Sequence, residues 1–177
     1  ENVMNGYWND PDATSKTLIN GWVHTGDIGE FDDEDYLKIT DRKKDILVNA
    51  GGDNISPTRI EAKLDIEPEI AQSMLYGDYK NYLVAVIVPD KDFAINWAKE
   101  NSKDQIFESI VKDEDFNKTM KEIVNKVNKN LSVIEQVRKF ILIDHEFTID
   151  NSMMTVSMKV RRFAVKDKYG DQLEKLY

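Results

Sequence analysis

The chain has 177 residues, no cysteine, 41% apolar and 32% charged residues, and a formal net charge of −9. That length allows one domain or a domain with an appendage, and the composition suits a folded globular protein rather than a disordered one. Disulfides, cysteine-bound metals and thiol nucleophiles are excluded, and no apolar run approaches the ~18 residues that would span a bilayer.

The charge is unevenly spread. Residues 1–41 hold ten acids and two bases, whereas the remaining 136 residues carry 23 acids and 22 bases. The asymmetry suggests a compositional boundary near residue 41. There is no basic stripe of the kind a nucleic acid requires, so none is expected as a partner. The opening Glu1-Asn2-Val3-Met4 lacks the basic start and apolar stretch of a secretory signal. A cytoplasmic location is expected, and it is compatible with peripheral contact at a membrane.

Residues 1–20 predict irregular structure with one short helix over 12–18. Strands at 28–31 and 36–40 flank Asp32-Asp33-Glu34-Asp35 and predict a hairpin. Its acidic turn reads as solvated, because it lacks the spaced ligands and distal Glu of a calcium loop. A further strand at 46–48 leads into Asn49-Ala50-Gly51-Gly52-Asp53-Asn54, where adjacent glycines permit positive φ or close approach of a ligand. Ser56-Pro57 supplies an N-cap and a proline in the first turn, and with Ile60, Ala62 and Leu64 predicts a helix over 57–64. Strands at 71–77 and 83–88 follow. The second reads Leu-Val-Ala-Val-Ile-Val, as expected of a central strand covered on at least one face.

Phe93, Ala94, Trp97 and Ala98 share one helical face. Phe116, Met120, Ile123, Val127, Leu131 and Ile134 keep spacings of three or four and predict a long helix from residue 115. A strand at 140–143, a loop over 144–158 and a helix over 163–177 interrupted near Gly170 complete the chain. Strands and helices mix without regular βαβ alternation, so the class is α+β.

Two constellations carry candidate chemistry. Thr25-Gly26-Asp27 sets a carboxylate on a tight turn, and Asp41-Arg42-Lys43-Lys44-Asp45 gathers three cations between two acids. On spacing alone a Gly-Asp turn is as readily structural. Their order, together with Gly6-Tyr7-Trp8-Asn9, Pro11, Gly21-Trp22, His24, Gly51-Gly52, Asn54-Ile55, Pro57, Ile60-Glu61 and Gly77-Asp78, resembles the late motifs of the adenylate-forming superfamily. That superfamily joins acyl-CoA synthetases, luciferases and peptide synthetases; the resemblance is specifically to the long-chain acyl-CoA synthetases and covers nearly the whole chain.

The resemblance implies roles for individual residues. Asp27 accepts hydrogen bonds from the ribose hydroxyls of ATP or the acyl-adenylate, and Arg42 contacts the same ribose region. Asp41 is the hinge residue, a role compatible with capping a turn or pairing with Arg42. Lys44 either reaches the nucleotide phosphates or is an ordinary surface lysine. Gly51 and Gly52 line the CoA pantetheine channel. The run Thr155-Val156-Ser157-Met158-Lys159-Val160-Arg161-Arg162 resembles the loop that carries the adenylation lysine, which makes Lys159 the catalytic residue. Val156 and Met158 depart from the family's Pro and Leu, and Arg161 is the alternative. The carboxylate substrate is already ionised, so no protein base is obligatory. His24 is then expected in packing or hydrogen bonding, His145 at the surface, and Met153-Met154 under the lysine loop.

The family's phosphate loop, adenine segment and acyl tunnel are not among these residues. The resemblance therefore implies that residues 1–41 are the tail of a large N-terminal adenylation domain, and residues 42–177 its C-terminal lid. The lid is expected to be a small α+β domain with a short hairpin and a small mixed sheet packed by helices. The expected parent is an AMP-forming fatty-acid–CoA ligase using ATP, CoA and Mg2+, with metal ligands in the N-terminal domain and none in this chain. Its expected partners are that domain and a fatty acid, and the piece alone is expected to be inactive. Two other readings stand beside it: a ligase that delivers acyl-adenylate to a carrier protein or stops at the adenylate, and a stand-alone binding module without chemistry.

Overall fold

The computed structural model describes residues 2–177. The chain divides into two compact units, one ending at Ile46 and one from Leu47 to Tyr177. This division lies beyond the boundary expected at 41/42, because the turn after Arg42 is bonded back to the first unit: the Lys43 N–H donates to Gly26 O at 2.8 Å.

The first unit begins with α1 (Pro11–Thr17), which the Asp10 side chain caps by accepting from the Ala13 N–H. Two antiparallel ribbons follow, β1 (Leu18–Ile19) with β2 (Trp22–Val23), and β3 (Asp27–Phe31) with β4 (Leu37–Arg42). The acidic run closes the second ribbon as an Asx turn in which Asp32 Oδ1 accepts from the Glu34 and Tyr36 N–H groups. Among the unit's described residues Asp41 alone is buried. Phe31, Leu37, Ile39 and Trp22 are exposed.

The second unit is built on a three-stranded sheet. β5 (Leu47–Val48) and β6 (Asn54–Ile55) form a short antiparallel ribbon, followed by α2 (Pro57–Leu64). As expected from Ser56-Pro57, the Ser56 hydroxyl accepts from the Arg59 N–H and proline occupies the first turn. β7 (Ile70–Tyr76) pairs antiparallel with β8 (Leu83–Pro89). A long crossover through α3 (Lys91–Glu100), α4 (Phe107–Ile110) and α5 (Glu114–Asn128) returns the chain as β9 (Val137–Leu142), parallel to β8. Parallel neighbours need such a crossover, which accounts for the helical stretch between them. α6 (Arg162–Glu174) ends the chain.

β8 is central and every one of its residues is buried. Leu83, Ala85 and Ile87 pack with α2, α3 and α5 on one face, while Val84, Val86 and Val88 pack with α6, Phe147 and Met153 on the other. An alternating side-chain period with cover on both faces explains the unbroken apolar run.

Three elements differ from the sequence reading. The long helix stops at Asn128, not near 134. The buried Asn128 side chain donates to Val137 O and accepts from the Val137 N–H, at 2.8 and 2.9 Å, so it ends the helix by holding the start of β9. Residues Val133–Glu135 form a separate 3-10 turn with a Ser132–Glu135 capping box, and Ile134 is 44% exposed. α6 runs through Gly170 without interruption, held by Val165, Tyr169 and Leu173 at helical spacing. α4 is too short to show a period in sequence.

Asp65, at the C-cap of α2, turns its carboxylate inward to accept from Ser73 Oγ at 2.7 Å. Burial of that group raises its pKa from 3.8 to about 6, with the Glu61 charge adding to the rise. The folded state thus holds a proton that the unfolded chain has released, so stability falls as pH rises through that window. Asp65→Asn keeps an acceptor for Ser73 and also removes a negative charge from a helix C-terminus. It should flatten the decline and add up to about 1 kcal/mol at neutral pH, the gain being limited because solvent reaches part of the Asp65 side chain. Urea unfolding between about pH 4 and 7 measures it; an unchanged profile refutes the assignment.

Candidate functional site

Asp27 and Arg42 are brought together by a β-bulge. From Phe31↔Leu37 to Gly29↔Ile39 the ribbon is regular, then the register shifts by one residue between Ile28 and Gly29. Without that shift Asp27 would face Asp41, setting two carboxylates side by side. With it, Asp27 faces Arg42, and Arg42 Nε donates to Asp27 Oδ1 at 2.8 Å. Gly26 takes φ +74°, and the Asp27 N–H donates to Thr25 Oγ1 at 3.1 Å. This local turn aims the carboxylate from the ribbon's end. The arginine pair leaves Asp27 Oδ2 with open acceptor capacity, which a ribose hydroxyl can fill.

Asp41 is 8% exposed, and its Oδ1 accepts the backbone N–H of Arg42 at 2.7 Å. Arg42's guanidinium goes to Asp27, while Asp41 holds the Arg42 backbone. A tight turn follows at once, closed by Asp45 N–H to Arg42 O at 2.9 Å, and the unit boundary lies just past it. Lys44 is exposed in that turn and makes no hydrogen bond or ion pair among the described residues. His24 donates its backbone N–H to Thr17 O and leaves its ring side exposed.

In the second unit, the Gly51-Gly52 loop is laced by Asn49 and Asp53. The Asn49 amide donates to Asp53 Oδ2 and its carbonyl accepts the Asp53 N–H, both at 2.9 Å. Gly52 has φ +88° with open space where a Cβ would stand. Asp78 anchors the loop's stem by accepting the Val48 N–H at 3.0 Å, and Lys80 O accepts from the Ala50 N–H. This gives the Gly77-Asp78 turn a local purpose that the sequence did not disclose.

Lys159 stands near the tip of a small hairpin. Met154 and Val160 form a single antiparallel bridge. Thr155 closes the tip, donating N–H to Lys159 O at 2.8 Å and accepting the Lys159 N–H on Oγ1 at 3.1 Å. Met158 takes φ +58°. Lys159, Val156 and Met158 are exposed. The two arginines that follow are engaged: Arg161 Nη1 donates to Ser152 O at 3.2 Å, and Arg162 pairs with Glu61. Met153 is buried beneath the hairpin and Met154 partly so, the packing role expected for that pair.

His145 is more connected than its sequence context suggested. Nδ1 lies 2.7 Å from Asp144 Oδ1, and Nε2 meets Lys168 Nζ at 2.8 Å and the Tyr169 hydroxyl. The His145 hydrogen bond holds the Asp144 carboxyl below its ordinary range, and burial with the Asp144 charge pushes Tyr169 up to about 12. With both ring nitrogens occupied, the cluster is a tether between the loop after β9 and α6. Among the described residues no group of three or more His, Cys, Asp or Glu gathers to hold a metal.

The model of the AMP-binding enzyme C-terminal domain matches residues 44–177. A long-chain-fatty-acid–CoA ligase of Mycobacterium tuberculosis is 35% identical over 177 residues, covering 99% of this chain and 30% of that protein. Human long-chain-fatty-acid–CoA ligase 1 is 34% identical over 180 residues, covering 99% of this chain and 26% of that one. The chain thus spans less than a third of the length of these relatives. Among solved structures, the adenylation domain of a Mycobacterium chelonae carboxylate reductase superposes with a TM-score of 0.84 at 27% identity, covering 98% of this chain and 26% of that one. The adenylation and carrier didomain of a Segniliparus rugosus carboxylic acid reductase, solved with AMP, gives 0.78 at 26% identity, covering 99% and 23%. By the extent of the model match, supported by these relatives, the chain belongs to the AMP-binding enzyme C-terminal domain family.

Proposed function

We propose that this chain is the C-terminal part of an AMP-forming long-chain-fatty-acid–CoA ligase. In this reading residues 1–41 are the end of the large adenylation domain and residues 42–177 are the lid, with Asp41 as the hinge. The absence of an apolar core among the first unit's described residues supports that division, since a ribbon with one buried residue needs a larger body to pack on. The observation that carries the reading is Lys159: a cation with no hydrogen-bond or ion-pair partner for its side chain among the described residues, displayed on an exposed hairpin whose neighbouring arginines are both committed elsewhere.

In the first step the fatty-acid carboxylate attacks the α-phosphate of ATP, forming acyl-AMP and releasing pyrophosphate. Asp27 and Arg42 hold the ribose, and Lys159 offsets the charge that builds between the carboxylate and the α-phosphate. Lys44 reaches the phosphates. Magnesium travels with the ATP phosphates. In the second step the lid turns at Asp41, the Gly51-Gly52 loop lines the CoA channel, and the thiol displaces AMP. No described helix is long and apolar enough to cross a membrane.

The resemblance to the reductase didomain supports a second acceptor, a carrier-protein thiol in place of CoA. The greater identity to the CoA ligases favours CoA. The full-length enzyme with ATP, Mg2+ and hexadecanoate should release pyrophosphate without a thiol and turn over continuously only when CoA is added. Turnover that ignores CoA and requires a carrier protein selects the second acceptor; no pyrophosphate release with any fatty acid rejects both.

A further inference from the structure

Glu61 is a charged residue on the apolar side of α2, 7% exposed, between Ile60 and Leu64 in the core. A carboxylate in that position needs compensation. It receives three donors. Arg162 forks onto both oxygens, with Nη1 to Oε1 at 2.6 Å and Nη2 to Oε2, and Oε1 also accepts the Leu75 N–H at 2.6 Å. Leu75 lies in β7, an edge strand of the sheet. α2 packs on one face of that sheet and α6 on the other. The pair therefore joins the two helices around the sheet's edge and satisfies an edge N–H at the same point.

Both helices lead directly from functional loops. α2 follows β6, the strand that closes the Gly51-Gly52 loop; Arg162 opens α6 three residues after Lys159. The hairpin's stem is held by its single bridge, by the Arg161 N–H to Met153 O at 2.7 Å and by packing of Met154 and Val160, but its tip is exposed and the α6 N-terminus that follows has no side-chain cap. From these observations we propose that Glu61 and Arg162 are positioning residues that fix the Lys159 hairpin relative to the Gly51-Gly52 loop, so that the lid presents either loop as one rigid body.

The inference rests on the adenylation role of Lys159, and the test separates the two. In the full-length enzyme, Arg162→Lys keeps the charge and loses the fork. Glu61→Gln keeps an acceptor for Leu75 and loses the ion pair. Each is expected to lower kcat for acyl-adenylate formation about 10-fold, leaving KM for ATP and the transfer of supplied acyl-AMP to CoA within about 2-fold, because a misplaced charge costs the transition state alone. Amide exchange over residues 154–161 should rise in both variants.

The decisive comparison is with Lys159→Ala. If the pair acts through Lys159, adding Arg162→Lys to that background costs nothing further in adenylation. Multiplicative losses, equal loss in both half-reactions, unchanged adenylation, or failure of both single variants to fold would overturn the proposal. A Lys159→Ala enzyme with normal adenylation would instead reject the role of Lys159 itself.

Discussion

Under the proposed function, replacing Lys159 by alanine in the full-length enzyme is expected to slow acyl-adenylate formation by about 10²-fold or more, the scale for losing one preorganised charge at a transition state. The attacking carboxylate and the α-phosphate are both anions, and negative charge concentrates between them as they approach. A compact ammonium can sit against both at once, whereas a guanidinium demands a planar partner. In the proposed role the hairpin would supply that ammonium, which no carboxylate among the described residues engages: Thr155 fixes the backbone on either side of the tip, and the adjacent Arg161 is bonded to Ser152 O. Arg161→Ala should accordingly have a smaller effect, felt through the hairpin's stem. Thioester formation from supplied acyl-AMP should be nearly unchanged in Lys159→Ala, since in the proposed mechanism the second step cleaves a different bond with the lid turned. Pyrophosphate release before CoA addition and AMP release after it measure the two steps separately. Equal losses in both would place Lys159 outside the adenylation chemistry.

The parts of this protein that were legible in its sequence are those fixed by neighbours a few residues away. Ser56 and Pro57 start α2 through contacts within one turn, and the β8 run declares its burial because every residue in it is apolar. What stayed hidden depends on partners far along the chain. The end of α5 is set by Asn128 reading the backbone of Val137, beyond a stretch whose apolar spacing still suits a helix. Asp27 meets Arg42 only because one residue bulges out of the ribbon, and no periodicity announces a bulge. Glu61 and Arg162 lie 101 residues apart. One signal did exist: an acid beside Ile60 on the apolar side of a helix implies a buried cation somewhere. Sequence spacing gives no means of saying which of 24 bases supplies it.

Phe116→Ala should destabilise the second unit by about 3–5 kcal/mol, the range for emptying an aromatic site in a core that relaxes incompletely. Phe116 is fully buried on α5, with the Trp97 ring edge-on at 5.0 Å and Phe93 at 6.1 Å. A loss of that size is a large share of the ~5–15 kcal/mol available to a domain, so the variant should remain folded only in the cold. Trp97 reports it directly by fluorescence during urea unfolding, because this tryptophan packs against the substituted ring. Ile134→Ala is the matched control. If the apolar stripe continued along one helix, both substitutions would open the core; with α5 ending at Asn128 and Ile134 exposed outside it, the second should stay within about 0.5 kcal/mol. Phe116 packs on the α2–α3–α5 side of the sheet, whereas Met153 and α6, which support the Lys159 hairpin, pack on the other. A folded Phe116→Ala enzyme assayed in the cold should therefore keep its adenylation rate while losing its stability, the reverse of what Lys159→Ala should do.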